Sequence, residues 1–220
     1  PSSAQIVAQA DCVVAIGTEL AEVDLWRAHL GHSCPLYRID IDPGCRADMQ
    51  RAEVAILARA EEAMASLRPL MAASASQWQA RSVAHQRGLW QGETEAERPG
   101  IIAIVEALRA VVPDDAMIYS DMTQFTYVAN EVWPMTRAKH WHHPSGFGTL
   151  GYALPAAIGG AMARPGKPTL AIAGDYGFQY SVQELGTAVE LGQALPIILW
   201  DNGKLKEIED SMRSAQIAPN

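Results

Sequence analysis

Pro168-Thr-Leu-Ala-Ile-Ala-Gly-Asp-Tyr-Gly-Phe-Gln179, with its continuation Leu195-Pro-Ile-Ile-Leu-Trp-Asp-Asn-Gly-Lys204, decides the fold of this chain. Pro168 to Ala173 is an apolar run bounded by Pro and Gly, the pattern of a strand buried in a parallel sheet. Phe178 to Leu191 carries Val182, Leu185 and Val189 at helical spacing and stops at Gly192, which predicts one helix. Leu195 to Trp200 is a second buried strand. Each strand ends in a carboxylate or amide: Asp175 after the first, Asp201 and Asn202 after the second. The crevice outside the carboxyl ends of parallel strands is where such sheets bind ligands.

Asp175 offers a hard anionic oxygen and Asn202 a neutral amide oxygen. Magnesium takes such ligands and commonly shares its octahedral shell with phosphate oxygens. Tyr176, Gly177 and Phe178 open a helix, so their N–H groups form an anion site. A metal-bridged diphosphate satisfies both features. A polar turn in an ordinary βαβ unit is the alternative, because Gly-Asp and Asp-Asn-Gly are common turn sequences.

Asn202 follows Asp175 by 27 positions. Gly-Asp-Tyr and Asp-Asn at that separation resemble the motif of the thiamin-diphosphate-dependent enzymes, in which Gly-Asp-Gly is followed at a similar distance by Asn-Asn. The resemblance implies that Asp175, Asn202 and the Lys204 carbonyl hold Mg2+. It places Gly174, Tyr176, Gly177 and Asn202 at the cofactor. Tyr176 replaces the motif's second Gly and Asp201 its first Asn, and neither change removes a ligand. Ser145-Gly-Phe-Gly-Thr-Leu-Gly-Tyr-Ala-Leu-Pro-Ala-Ala-Ile-Gly-Gly160 is similar to the segment before the metal motif in acetolactate synthases and related 2-oxo acid decarboxylases. By that likeness Thr149 and Leu150 touch thiamin diphosphate, Leu150 as the bulky apolar support beneath it. Ser120-Asp-Met-Thr-Gln124 corresponds to a turn beside the diphosphate, with Thr123 and Gln124 as contacts. Read from the residues alone, Asp121 and Thr123 are ordinary helix N-caps.

The same resemblance divides the chain. Residues 1–72 correspond to the C-terminal part of a middle domain, 73–98 to a linker, and 99–220 to a thiamin-diphosphate-binding domain truncated at its C-terminus. Both domains are expected to be α/β, doubly wound on parallel sheets and incomplete. Asp11 to Ile16 and Leu36 to Ile41 read as strands, with Val23 to Leu30 helical between them. The full Gly-x-Gly-x-x-Gly fingerprint of a dinucleotide site is absent. Acetolactate synthases carry FAD in this domain, with a Phe-Asp-Asp-Arg stretch where this chain has Leu20-Ala-Glu-Val-Asp-Leu-Trp26, so FAD is not expected. Val54 to Leu70 reads as a surface helix. Met71 to Pro99 loses the apolar pattern, with Trp78 and Trp90 as anchors. Ile101 to Val112 is an amphipathic helix and Ala116 to Tyr119 a strand. Gly151 to Arg164 is a small-residue helix suited to close packing and, by resemblance, to a subunit interface. His140, His142 and His143 lack a carboxylate or Cys partner, so zinc is not expected. One of them facing the cofactor and handling protons is the alternative.

Composition narrows the partners. The chain has 220 residues, 49% hydrophobic and 19% charged, with net charge −8. That charge argues against nucleic acid or an anionic membrane surface, and no apolar run approaches the ~20 residues needed to span a bilayer. Cys12, Cys34 and Cys45 lack Cys-x-x-Cys spacing and read as free thiols in a reducing cytoplasm. The resemblance implies a homodimer or homotetramer acting on small 2-oxo acids, by decarboxylation or by acetolactate synthase-type carboligation. The family's activating Glu lies on a first domain not present here, so no catalytic residue is assigned. A non-catalytic diphosphate-binding module and a nucleotide-binding domain are the rival readings. Glu207, Glu209 and Asp210 read as an acidic, solvent-facing helix. The alternative is a contact to a basic 2-oxo acid such as 5-guanidino-2-oxopentanoate.

Overall fold

The computed structural model describes residues 2–21, 25, 27–73 and 79–219. These fall into two compact units, Pro1–Ser82 and Val83–Asn220. In the first, α1 (Ser2–Ala8) precedes β1 (Val13–Ile16), β2 (Leu36–Asp40), β3 (Val54–Leu57) and α2 (Ala60–Leu67). The three strands pair in parallel in the order β1-β2-β3. Ala15, Leu30 and Leu36 form its core.

One expectation fails in this unit, and a second holds only in part among the described residues. The helix predicted from Val54 to Leu70 is a strand followed by a shorter helix. β-Branched Val54 and Ile56 pair in register with Tyr37 and Ile39, and this long-range pairing overrides the helix propensity of the Ala-rich segment. Only after Arg59, whose backbone is extended, does α2 begin, with Glu61 and Glu62 in its first turn where the helix dipole favours them. Of the helix expected from Val23 to Leu30, residues 23, 24 and 26 lie outside the described residues, and Leu25 is helical, its N–H donating to the Ala21 carbonyl at 3.0 Å. Residues 27–29 are bends, and the Leu30 N–H donates to Gln50 Oε1 at 2.9 Å instead of to a helical carbonyl. The flavin expectation rests on that same Leu20–Trp26 stretch. Trp78, read as an anchor, also lies outside the described residues.

The second unit contains α3 (Ala80–Glu97) from Val83 onward, α4 (Ile101–Val111), β4 (Met117–Ser120), α5 (Gln124–Val132), β5 (Trp141–His142), α6 (Ala153–Ala163), β6 (Thr169–Gly174), α7 (Asp175–Gln179), α8 (Glu184–Glu190), β7 (Ile197–Trp200) and α9 (Lys206–Ser214). Much of the stretch read as a linker is therefore the helix α3. Its side chains show no apolar stripe, and its fixed point is polar. Thr94, 4% exposed, donates through Oγ1 to the Glu131 carboxylate on α5 at 2.6 Å.

The strands of this unit form one parallel sheet in the order β5-β4-β6-β7. Alternation sorts its side chains. Ile118, Leu170 and Ile172 lie in register on one face and pack with Ile101 and Val105 of α4 and Phe125 and Val128 of α5. On the other face Leu154 and Ile158 of α6 meet Ala188 of α8, with Phe178 and Ile197 against them. Helices thus cover both faces, the doubly wound arrangement. Each fully buried Ile, Leu or Phe in these layers contributes roughly 1.5–3 kcal/mol. Gly160 lets α6 approach the sheet: a Cβ there would stand 2.4 Å from the Tyr119 ring.

The single helix predicted over 178–191 is broken into α7 and α8. Tyr180, Ser181, Glu184, Leu185 and Gly186 all donate to the carbonyl three residues back, which tightens the intervening chain into 3-10-like turns. The change of path turns Val182, Leu185 and Val189 outward, Val189 to 79% exposure, and leaves small Ala188 as the buried position.

Candidate functional site

The chain leaves β4 toward β5 on one side of the sheet and then crosses to β6 on the other. β4 is therefore a topological switch point, where a crevice opens at the carboxyl ends of the strands. Three turns meet there: Asp121 to Thr123 after β4, Gly174 and Asp175 after β6, and Asp201 to Lys204 after β7. Gly174 and Trp200 are register partners, so Asp175 and Asp201 leave adjacent strand ends.

Asp121 joins these turns from below. It is 1% exposed, and its carboxylate accepts from the N–H groups of Gly151 at 3.1 Å, Tyr152 at 2.8 Å and Ala153 at 2.9 Å. Burial pushes its pKa up, and these three hydrogen bonds oppose the shift. The sequence made it a cap for the helix beside it; it caps α6 instead, about thirty residues further on, and Thr123 caps α5 by accepting from the Thr126 N–H at 3.0 Å. Gly177 is buried over Asp121: a Cβ on Gly177 would lie 2.7 Å from Asp121 Oδ2. Gly151, at φ +81, leaves no room either, since a Cβ would stand 2.9 Å from Tyr180 Cβ and 3.4 Å from the Gly177 carbonyl. The 145–160 segment and the Gly174–Gly177 turn, two separate stretches of sequence, are thus packed into one body. No local pattern marks Asp121 as their common partner.

The structure brings Thr123, Gln124, Gly174 and Asn202 together. A Cβ on Gly174 would meet Thr123 Cγ2 at 3.1 Å. The Asn202 Nδ2 donates to Gln124 Oε1 at 3.2 Å, while its Oδ1 accepts from the Lys204 N–H at 3.2 Å. Asp201 Oδ1 takes the Gly203 N–H at 2.9 Å. Two successive side-chain-to-backbone turns therefore shape this loop. Asp175 opens α7, is half-buried, and its carbonyl accepts from Gln179 Nε2 at 3.2 Å. Leu150 is half-buried, whereas Thr149, Tyr176 and Lys204 are exposed. The Thr123 hydroxyl is committed to Thr126, to whose Oγ1 it donates at 3.0 Å.

The three histidines part ways. His142 stacks on Tyr119 with centroids 4.7 Å apart, His143 Nδ1 lies 3.0 Å from Ser120 Oγ, and His140 Nδ1 faces the Ala138 carbonyl at 2.9 Å. No His, Cys or carboxylate cluster able to hold a metal occurs among the described residues. Burial lowers the His143 pKa, against the opposing contact to Ser120.

The acidic residues after the loop are not simply solvent-facing. Glu207 pairs with Arg98 at 2.6 Å, Glu209 with Lys204 at 2.6 Å and Arg213 at 2.7 Å, and Asp210 with Lys206. Its cationic neighbours hold Glu209 down at about 2. Arg98 is a further site-proximal residue that local patterns did not mark.

Residues 121–217 match the thiamine pyrophosphate enzyme C-terminal TPP binding domain. Over 218 residues, 98% of the chain, it is 38% identical to the probable 2-ketoarginine decarboxylase AruI of Pseudomonas aeruginosa, covering 39% of that protein. It is 29% identical to acetolactate synthase isozyme 1 large subunit of Escherichia coli over 93% of the chain and 37% of that protein. The acetolactate synthase large subunit of Corynebacterium glutamicum is 30% identical over 90% of the chain and 33% of its own length. The chain thus spans about two fifths or less of the length of these relatives. Among the described residues no helix is long and apolar enough to cross a membrane.

Proposed function

We propose, from the match of residues 121–217 to the thiamine pyrophosphate enzyme C-terminal TPP binding domain, that this chain supplies the magnesium–diphosphate site of an enzyme acting on small 2-oxo acids. Asp175 carries the reading. Its half-buried side chain follows a central strand, and among the described residues no hydrogen bond or ion pair engages its carboxylate oxygens, the Gln179 contact being to its backbone carbonyl. The loop leaving the neighbouring strand end carries an amide, Asn202, whose nitrogen is taken by Gln124. The donor set of Asp175, Asn202 and the Lys204 carbonyl is all oxygen, which fits Mg2+. Asn202 Oδ1 accepts one loop N–H and keeps a second lone pair for a cation.

Bound thiamin diphosphate supplies the electron sink that decarboxylation of a 2-oxo acid requires. The chain's own residues anchor and orient it. Asp175, Asn202 and the Lys204 carbonyl would hold the metal; Gly174, Tyr176 and Gly177 would offer backbone to the diphosphate; Thr123, Gln124 and Thr149 would line it; Leu150 would give the cofactor an apolar support. No group of this chain is assigned as a proton donor or acceptor in the reaction, and no FAD is proposed.

Decarboxylation is favoured over carboligation, because identity is higher to the protein named as a decarboxylase, 38%, than to the synthases, 29% and 30%. 2-Ketoarginine is therefore the first substrate to test. Glu207, Glu209 and Asp210 do not support it as receptors, since each is already in an ion pair. Assembly as a homodimer or homotetramer is supported by exposed Tyr176, Tyr180, Val182 and Val189, an apolar surface of the kind that marks interfaces. The free cysteines fit a reducing cytoplasm.

Calorimetric titration of the full-length protein with thiamin diphosphate and MgCl2 tests the site. Asp175→Ala is expected to abolish binding, and the exposed Glu190→Ala to leave it unchanged. Undiminished affinity in Asp175→Ala overturns the assignment. Steady-state turnover across a panel of 2-oxo acids, 2-ketoarginine and pyruvate included, then identifies the substrate.

A further inference from the structure

The loop Asp201–Leu205 is followed immediately by α9, and a half-buried ion pair ties α9 to the body of its unit. Arg98, with its side chain 14% exposed, reaches Glu207 in the first turn of α9. Its Nη2 donates to Oε1 at 2.6 Å and its Nε to Oε2 at 3.4 Å, the two-pronged geometry that makes Arg–carboxylate pairs both strong and directional. The guanidinium also lies over the Tyr127 ring, 5.9 Å from its centroid. Burial by itself would lower the Arg98 pKa, but the hydrogen bond and charge of Glu207, with Glu97 and Glu131, outweigh it and raise it. The Arg98 guanidinium therefore stays charged.

Tyr127 and Gln124 stand three positions apart on α5, hence on one face. Gln124 holds Asn202, and Tyr127 underlies the arginine that holds Glu207. Both ends of the Asn202–Glu207 segment are thereby referred to the same helix. In between, Lys204 Nζ is drawn back to Glu209 at 2.6 Å. Arg98, Gln124 and Glu207 share the lining of one open cavity of about 760 Å³.

We infer that Arg98 is a positioning residue for the metal site: by clamping Glu207 it fixes the first turn of α9, and through it the loop that presents Asn202 and the Lys204 carbonyl. The inference rests on the proposed magnesium–diphosphate reading. Among the described residues no hydrogen bond or ion pair joins Arg98 or Glu207 to Asp175, Asn202 or Lys204, so the role acts through the loop. Partners that orient metal ligands from outside the coordination shell typically contribute 10–100-fold in metal affinity.

The test uses the full-length protein and three variants, Arg98→Met, Glu207→Gln and the pair together. Two quantities are read: the half-saturating Mg2+ concentration for thiamin-diphosphate binding, by tryptophan fluorescence, and amide hydrogen exchange across residues 201–214 without cofactor. Each single variant is expected to raise the Mg2+ requirement about tenfold. The double variant should be no worse than either single, and exchange across 206–214 should speed up in all three. The charge-reversed pair Arg98→Glu/Glu207→Arg should recover much of the affinity. Unchanged Mg2+ affinity in Glu207→Gln, or losses that multiply in the double variant, overturns the inference. Wild-type protein that binds no thiamin diphosphate with Mg2+ overturns instead the reading beneath it.

Discussion

Asn202 and Gln124, 78 residues apart in the chain, are joined by a 3.2 Å hydrogen bond from the Asn202 amide to Gln124 Oε1. The bond takes the amide nitrogen and leaves Oδ1, which accepts the Lys204 N–H, as the atom the proposed metal site would use. A neutral side chain on α5 thereby sets the chemistry of a loop after β7.

Gln124→Ala should keep the fold and weaken Mg2+-dependent cofactor binding, by about 10–100-fold as expected for a lost orienting partner. Gln124→Glu, which keeps the acceptor oxygen, should lose less. Isothermal titration of both variants against wild type measures the difference.

Asp121 makes a different kind of contribution. Its three charge-assisted hydrogen bonds lie in the interior, where an abandoned N–H is costly. Asp121→Ala should lower stability by about 2–4 kcal/mol. Asp121→Asn, with one acceptor oxygen in place of two, should fall between. Denaturant unfolding of the two variants provides the order.

The paired glycines of α6 should respond oppositely to the same substitution. At Gly160 a methyl would meet the Tyr119 ring at 2.4 Å, whereas nothing lies within 4 Å of one at Gly159. Gly160→Ala is expected to cost about 1–3 kcal/mol through overpacking. Gly159→Ala should stabilise by roughly 0.5–1 kcal/mol, the helix penalty of glycine removed. Melting temperatures decide, and Tyr119→Leu should rescue Gly160→Ala alone.

His143 predicts an acid limb in stability. Burial holds its folded pKa below the ordinary 6.5. As pH falls past 6.5 the unfolded chain takes up the proton first, so stability is complete above that value and declines until the folded state protonates too. His143→Gln should flatten this part of the curve. Thermal melts at a series of pH values just below 6.5 test the sign.

Much of this protein is written locally. Pro168 to Gly174 and Leu195 to Trp200 are strands because an unbroken apolar run between Pro and Gly can bury both faces, and that pattern needs no knowledge of the partner strand. The strand ends that carry Asp175 and Asp201–Asn202 follow from the βαβ unit between them, so their adjacency was legible too. What tertiary structure decided are the pairings whose members are far apart. Val54 and Ile56 became a strand because β2 offered an edge. Asp121 caps α6 rather than the neighbouring helix because the switch point carries its carboxylate under Gly151. Arg98 meets Glu207 across 109 residues. Periodicity reports which face of an element is apolar; it carries no information on which buried polar atoms meet, since a hydrogen bond depends on distances that only the packed chain sets.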